Sequence, residues 1–297
     1  MTGIICINKD KGITSFGVVA KCRGILREKK AGHMGTLDPM ATGVLPIMLG
    51  GATRFLNYLP DSDKGYRASL LLGKTTDTLD ITGNVLSENE VNVSRDDFLC
   101  VLDKFRGVIM QTPPMYSAKS VDGVRLYNLA RQGVEIERTP CRVEIKSLSL
   151  VKSSGNEYVI DVICSKGTYI RSLIDDIGRE LGCGAVMTEL VRTKAMGFTL
   201  EDCVSLSTLQ SRRDSAQGFD DLLKSVEQMF ADYKSVTISE AQSKRFANGG
   251  ELDINRVRAE LDNSELCRVY SNDSKFLGLG QRDGNALRVA RLLTKRD

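Results

Sequence analysis

Residues 32–46 read Gly32-His33-Met34-Gly35-Thr36-Leu37-Asp38-Pro39-Met40-Ala41-Thr42-Gly43-Val44-Leu45-Pro46, and no other run constrains the backbone as much. It holds the chain's one histidine, an acid followed by proline, and three glycines. Pro39 removes a backbone donor and pushes Asp38 away from helical geometry. The glycines permit conformations and close approaches that a side chain forbids. Apolar residues then resume at Val44, Leu45, Ile47, Met48 and Leu49. The run reads as a rigid loop holding one carboxylate at the edge of an apolar core. Spacing alone also permits a tight turn in which Asp38 makes only local hydrogen bonds, the commoner fate of aspartate beside proline.

At 297 residues, 41% hydrophobic and 27% charged, the chain can bury a full core, and its length suits one large domain and a smaller one. A net charge of +3 says little about a polyanionic partner, but its distribution says more. Lys9, Lys11, Lys21, Arg23, Arg27, Lys29, Lys30 and Arg54 dominate the opening part. Arg282, Arg288, Arg291, Lys295 and Arg296 crowd the end, and the span from Glu201 to Asp232 is acidic. Such unevenness fits two separate phosphate-contacting surfaces, or a chance clustering of solvated charge. The eight cysteines lie far apart without a CxxC pair, so they read as small buried hydrophobes in a reducing compartment. One histidine cannot build a multi-histidine metal site. No run approaches the roughly 20 apolar residues of a membrane span, and no signal peptide is evident. A cytoplasmic protein without a membrane partner is expected.

Gly3 to Asn8 reads as an apolar strand. Thr14 or Ser15 caps a helix with Val18, Cys22 and Ile25 on one face. Ala52 to Leu59 is a short helix closed by Pro60, and Lys64 to Gly73 a strand. Gly73-Lys74-Thr75 imitates the tail of a phosphate-binding loop, but Ala68 stands where the first glycine is required, which excludes a nucleoside triphosphatase. Thr76 to Gly83 reads as a structural turn whose acids are capping groups. Ser94 caps a helix to Phe105, and Gln111 to Ala118 is extended around consecutive prolines. Lys119 to Arg142 interleaves basic residues with tyrosines, as a nucleic-acid face or a solvated segment would. Strands Val143 to Lys152 and Tyr158 to Ser165 follow. Thr168 caps a helix with core face Ile170, Leu173, Ile174, Ile177 and Leu181. Arg171 in its first turn opposes the helix dipole and so answers either to a partner anion or to a surface salt bridge. Another strand begins at Glu189. Glu201 to Asp232 is expected to be mostly helical, and Lys234 to Asp297 to be short strands closing a small β-barrel.

The word Gly35-Thr36-Leu37-Asp38-Pro39-Met40-Ala41-Thr42-Gly43, with Lys9, Gly12, Ile13, Thr14 and Ser15 upstream, closely resembles the TruB family of tRNA pseudouridine synthases, and further matches run to the C-terminus. The resemblance implies an α+β fold: a mixed, mainly antiparallel sheet with flanking helices, plus a small C-terminal PUA-like β-barrel. It implies a catalytic domain over 1–232, with an RNA-gripping insertion at about 112–142, and an RNA-binding domain over 233–297. The implied enzyme is an isomerase that converts uridine 55 in the T-loop of tRNA to pseudouridine after flipping the base, with no cofactor and no metal. Its implied partner is the tRNA T-stem-loop, met by a monomer.

Carried over residue by residue, the resemblance makes Asp38 the catalytic aspartate, attacking either C6 of the ring or C1′ of the ribose. Tyr66 matches the tyrosine that stacks on the base and can accept the C5 proton. Arg171 matches the arginine paired with the aspartate, and Tyr169 packs beside it. Leu190 matches an apolar wall, His33 the histidine that stacks where a base has left, and Lys9 a residue of the substrate-binding surface. Asp10 departs from the family's usual proline and puts the rigidity of the Lys9 loop in question. The residues fit this reaction on their own terms. An aspartate carboxyl is ionised at neutral pH without an activating base, and an arginine can hold and orient it. A retaining glycosidase would need a second carboxylate, and the sequence gives no obvious partner for Asp38; His33 lies in a loop without the nucleophile elbow of a serine hydrolase. A noncatalytic RNA-binding or tRNA-folding protein, or a synthase acting on another RNA, would share the basic faces, but the former has no need of Asp38, Tyr66 and Arg171.

Overall fold

The computed structural model describes residues 1–294 other than Ala118, Asp122 and Arg258; Lys295 and Arg296 of the basic tail therefore lie outside the described residues. The chain opens with β1 (Gly3–Lys9), α1 (Ser15–Leu26), β2 (Ala31–His33) and β3 (Thr42–Leu49), then a 3-10 stretch (Gly50–Tyr58). It continues through β4 (Lys64–Leu72), β5 (Lys74–Thr76), β6 (Val85–Glu88), α2 (Arg95–Lys104) and β7 (Gly107–Gln111). Residues 112–140 hold β8 (Ser120–Val121), β9 (Val124–Arg125) and α3 (Leu126–Arg131). Then come β10 (Cys141–Ser154), β11 (Glu157–Cys164), α4 (Ile170–Glu180), β12 (Ala185–Ala195), β13 (Phe198–Thr199) and α5 (Leu206–Asp214). The C-terminal part contains β14 (Ser235–Ile238), α6 (Glu240–Ala247), β15 (Leu252–Asp253), β16 (Leu266–Ser271), β17 (Phe276–Asp283) and β18 (Ala286–Leu292).

The fold is α+β. A nine-stranded sheet runs β1-β3-β12-β4-β11-β10-β7, with β2 and β13 at its margins. Its pairings are antiparallel except β3 with β12. A second sheet, β14-β16-β17-β18-β15, curls as a half-barrel around its own core of Val236, Ile238, Phe246, Cys267 and Val269, as a PUA-like domain does. β1 shows why an unbroken apolar run sits here. Its alternate side chains point to opposite faces, so Ile5 and Ile7 enter the core beneath α1 and α4 while Ile4 and Cys6 enter a second core. In that second core Phe55 meets Phe230 at 5.7 Å and Phe276 of β17 at 6.0 Å, so the two sheets share one apolar cluster.

Three expectations are corrected. Residues 201–232 are helical only over Leu206–Asp214 and in short 3-10 turns. The outer edge of β1 has backbone groups to satisfy, and it draws this segment into extended pairing. Ile4 exchanges hydrogen bonds with Lys224 at 2.8 Å, and Val204 bonds Cys6 and Asn8 at 3.0 and 2.9 Å. β12 starts at Ala185 rather than Glu189. Thr168 does not cap α4; its hydroxyl donates to the Ser165 carbonyl at 3.0 Å. The N-cap residue is Tyr169, which Gln111 of β7 braces from the side, its Oε1 accepting from the Tyr169 amide at 2.7 Å and its Nε2 donating to the Tyr169 carbonyl at 3.0 Å.

Among the described residues, the arginines near the C-terminus have partners within the chain. Arg282 donates to the carbonyls of Leu261 and Gly284, Arg288 pairs with Glu251 and Asp283, and Arg291 lies over the Tyr58 ring. Arg54, from the opening basic set, donates to the Leu292 and Thr294 carbonyls and so serves the domain junction.

Candidate active site

The parallel pair β3–β12 carries the loop that holds Asp38. Gly43 faces Arg192 across this pair at φ +100, and a Cβ there would stand 2.3 Å from the Arg192 carbonyl oxygen. Only glycine fits that crossing. The close approach brings Arg192, fully buried, under the loop. Its Nε donates to the Val44 carbonyl at 2.8 Å, and its two terminal nitrogens to Thr36 and Gly35, each at 3.2 Å. A second tie comes from Ser15, whose hydroxyl accepts from the Leu37 amide at 2.8 Å and donates to the Leu37 carbonyl at 3.0 Å. Thr14 is the cap of α1, which leaves Ser15 free for this task.

Lys9 supplies the third tie. It is fully buried, and its ammonium donates to the carbonyls of Asp10 at 2.9 Å, Pro39 at 3.2 Å and Ala41 at 2.5 Å. All three N–H groups are thereby used, so Lys9 clamps the loop and does not present its charge to a substrate. Burial pushes its ammonium down to about 8, against the pull of Asp38 and Asp10. Asp10 joins the clamp through its backbone, a contribution that does not require the family's proline.

Asp38 opens into a cavity of about 590 Å³ whose lining includes Tyr66, Tyr169, Arg171 and Leu190. Of the seven residues singled out from the sequence, the structure brings these five together; Lys9 and His33 lie outside the lining. Arg171 Nη2 is 2.7 Å from Asp38 Oδ2. The same nitrogen donates to the Tyr116 carbonyl at 2.8 Å, and Nη1 donates to the Thr78 carbonyl at 3.1 Å. One arginine thus joins the Asp38 loop, the 76–83 turn and the segment at Tyr116. It is buried (5% exposed), whereas Asp38 keeps 38% of its side chain open to the cavity.

The 76–83 turn belongs to the site as well as to the scaffold. Asp80, buried, accepts at Oδ1 from the Thr82 amide at 3.0 Å and from the Thr82 and Thr78 hydroxyls at 2.5 and 3.0 Å. Its Oδ2 stands 3.9 Å from Arg171 Nη1. The guanidinium therefore sits between two carboxylates, which fixes its plane. Tyr66, from β4, is buried in the wall of the same cavity. Burial pushes the phenol up to about 12, although the charge and hydrogen bond of Arg192 pull the other way. The hydroxyl is accordingly protonated at neutral pH.

His33 ends β2 opposite Ile47, half-buried, and its buried Nδ1 has no hydrogen-bond partner among the described residues. Burial, and then the charge of Arg192, hold its pKa below the ordinary value, which favours the neutral ring. Arg192, Gln111, Asp80 and Ser15 were given no site role from sequence. An arginine inside the apolar strand Leu190-Val191-Arg192 was the one available sign, because a charge is buried only with partners.

Comparisons with known proteins agree in direction. Residues 23–170 match the TruB family pseudouridylate synthase N-terminal domain, residues 171–231 the tRNA pseudouridylate synthase B C-terminal domain, and residues 235–293 the pseudouridine synthase II TruB C-terminal domain. The chain is 42% identical over 296 residues to tRNA pseudouridine synthase B of Clostridium perfringens (strain 13 / Type A), covering 99% of each chain. Against the protein of the same name from Pseudomonas fluorescens (strain Pf0-1) it is 44% identical over 284 residues, 95% of this chain and 92% of that one. A chain in the crystal structure of a Cbf5-Nop10-Gar1 complex superposes with a TM-score of 0.75 at 26% identity, over 99% of this chain and 86% of that one. A chain in a structure of an H/ACA RNP bound to a substrate RNA containing 2'-deoxyuridine gives 0.75 at 25% identity, with the same coverage.

Proposed function

Since the chain belongs to the TruB family of pseudouridylate synthases, we propose that it isomerises uridine 55 in the T-loop of tRNA to pseudouridine, acting as a monomer in the cytoplasm. The observation that carries the chemistry is the Asp38–Arg171 pair at 2.7 Å, facing a cavity with Tyr66 in its wall. The uridine leaves its stack, at a cost of a few kcal/mol that is least in an already irregular loop, and enters this cavity. Asp38 attacks the uridine at C6 or C1′ and bonds to it. The N1–C1′ bond breaks, the uracil turns and C5 bonds to C1′, and the aspartyl bond breaks to return Asp38 as a free carboxylate. The proton lost from C5 is balanced by the one gained at N1, so no cofactor or metal enters the balance. Arg171 fixes the carboxylate and keeps it in line before the base arrives. Tyr66 stacks on the base; as a phenol it relays the C5 proton through its oxygen rather than holding it. Leu190 and Tyr169 close the cavity wall, and His33, neutral and outside the cavity, stacks where the base has left the T-loop. The insertion, joined to Arg171 through the Tyr116 carbonyl, grips the T-stem-loop, and the half-barrel meets the RNA farther away.

The test is site mapping of an unmodified tRNA transcript after incubation with the wild type and with Asp38→Asn. Pseudouridine at position 55 is expected with the former. The variant should yield none yet retain the transcript on a filter. Appreciable turnover by Asp38→Asn would remove the aspartate from the mechanism, and product at another uridine would change the substrate.

A further inference from the structure

The cavity that opens on Asp38 is lined by five cationic side chains, Lys64, Lys119, Arg142, Lys166 and Arg171, but by only one carboxylate. Most of these charges are accounted for. Arg171 holds Asp38, Lys166 reaches Asp61 at 2.5 Å, Lys119 donates to the Cys141 sulfur at 2.8 Å, and Arg142 is exposed to solvent. Lys64 is different. It is half-buried, and among the described residues no carboxylate, carbonyl or hydroxyl accepts from its ammonium. Its Nζ lies over Gly35, 3.7 Å from where a Cβ would stand, with an Arg192 nitrogen 3.8 Å from the same point. Arg192 already holds three loop carbonyls through its Nε and its two terminal nitrogens. Lys64 is thus a cation stripped of part of its water beside another cation, a costly placement unless an anion arrives. Burial and the neighbouring Arg192 both push its pKa down, in keeping with that cost.

Lys64 and Tyr66 are alternate residues of β4, so their side chains share one face of the strand, about 7 Å apart along it. The formal anions of an RNA strand are its phosphodiesters. A nucleotide whose base stacks on Tyr66 brings the phosphodiesters on either side of it to the cavity mouth. From this geometry we infer that Lys64 is a binding residue that takes a phosphate oxygen flanking the flipped uridine, fixing the nucleotide by its backbone while Tyr66 receives the base. The inference rests on the synthase reading given above.

The experiment pairs protein and RNA changes. Wild type, Lys64→Met and Lys64→Arg are compared on a T-stem-loop RNA and on two versions carrying a neutral methylphosphonate on the 5′ or the 3′ side of the target uridine. Affinity is read by filter retention, and the chemical step by single turnover at saturating enzyme. Lys64→Met should bind the natural RNA about 10-fold more weakly, as expected for one charge-assisted contact, with the greater part of the loss in KM and not in kcat. Its salt slope should fall by roughly 0.7–0.9, one phosphate contact, and Lys64→Arg should recover most of the affinity. One of the two neutral linkages should weaken the wild type by a similar factor while leaving Lys64→Met unaffected. If both linkages cost the variant as much as the wild type, or if Lys64→Met keeps its affinity and loses single-turnover rate, the phosphate assignment is overturned. Absence of pseudouridine from the wild type on natural RNA would instead defeat the functional reading, separately from this cycle.

Discussion

Replacing Arg171 with lysine tests the geometry of the site without changing its formal charge. The guanidinium presents two nitrogens in one plane. Nη2 serves Asp38 at 2.7 Å and Tyr116 at 2.8 Å, while Nη1 serves Thr78 at 3.1 Å and faces Asp80 at 3.9 Å. An ammonium on a shorter, non-planar stem reaches one side of this arrangement and abandons the other. The loss of one charge-assisted hydrogen bond is worth about 1.5–3 kcal/mol. At about 1.4 kcal/mol per factor of ten, that is roughly a 10- to 150-fold fall in the chemical step. A second cost falls on the fold, because buried carbonyls at Thr78 or Tyr116 lose their donor at about 1–3 kcal/mol. The assay is single-turnover pseudouridine formation with saturating enzyme in excess over RNA, so that binding does not limit the rate. Affinity is measured separately, and a thermal melt confirms that the variant is folded. A fall in rate with affinity held within about 3-fold supports Arg171 as the positioning group of Asp38. If affinity collapses while the single-turnover rate is unchanged, Arg171 holds phosphate and the argument fails.

Two more expectations concern stability. Because His33 titrates below its ordinary value of 6.5 in the folded chain, the unfolded chain binds more protons in the window between the two values, and stability rises with pH there. That contribution is lost as pH falls below 6.5. The lone imidazole should show one NMR titration with a midpoint below 6.5, and the difference in urea midpoint between wild type and His33→Gln should change across pH 5 to 7; a midpoint at or above the ordinary value contradicts the burial argument. The difference isolates His33 from carboxyls such as Asp176, which burial pushes up to about 6. Phe276→Ala, in the cluster shared by the two sheets, should cost about 3–5 kcal/mol in a denaturant melt and lower the melting of the whole chain as one transition. Two well-separated transitions, with only the second shifted, would show that the shared cluster does not couple the sheets. For the same reason, removal of residues 233–297 is expected to bare Phe55 and Phe230 and to yield an aggregating protein rather than an intact catalytic domain.

The sequence by itself determined which residues are chemically unusual. The proline after Asp38, the glycines around it and the apolar runs on either side specify a stiff loop against a core, since each acts on its own backbone. Thr14 and Ser94 are true caps, and the stripe Ile170, Leu173, Ile174 and Ile177 is buried as its period requires. Such features are local, and local rules reach them. Tertiary structure decided what those residues touch. Lys9 counts among the basic residues that suggest a phosphate-contacting surface, yet at the end of β1, paired with β3, its ammonium is turned into three carbonyls. The 201–232 segment had helical composition, yet an unsatisfied strand edge many residues away claimed its backbone. Arg192 and Asp80 gained their roles only because β12 pairs with both β3 and β4 and the 76–83 turn folds under α4. The energy of a buried charge depends on partners that chain folding brings from afar, and sequence spacing carries no record of that distance.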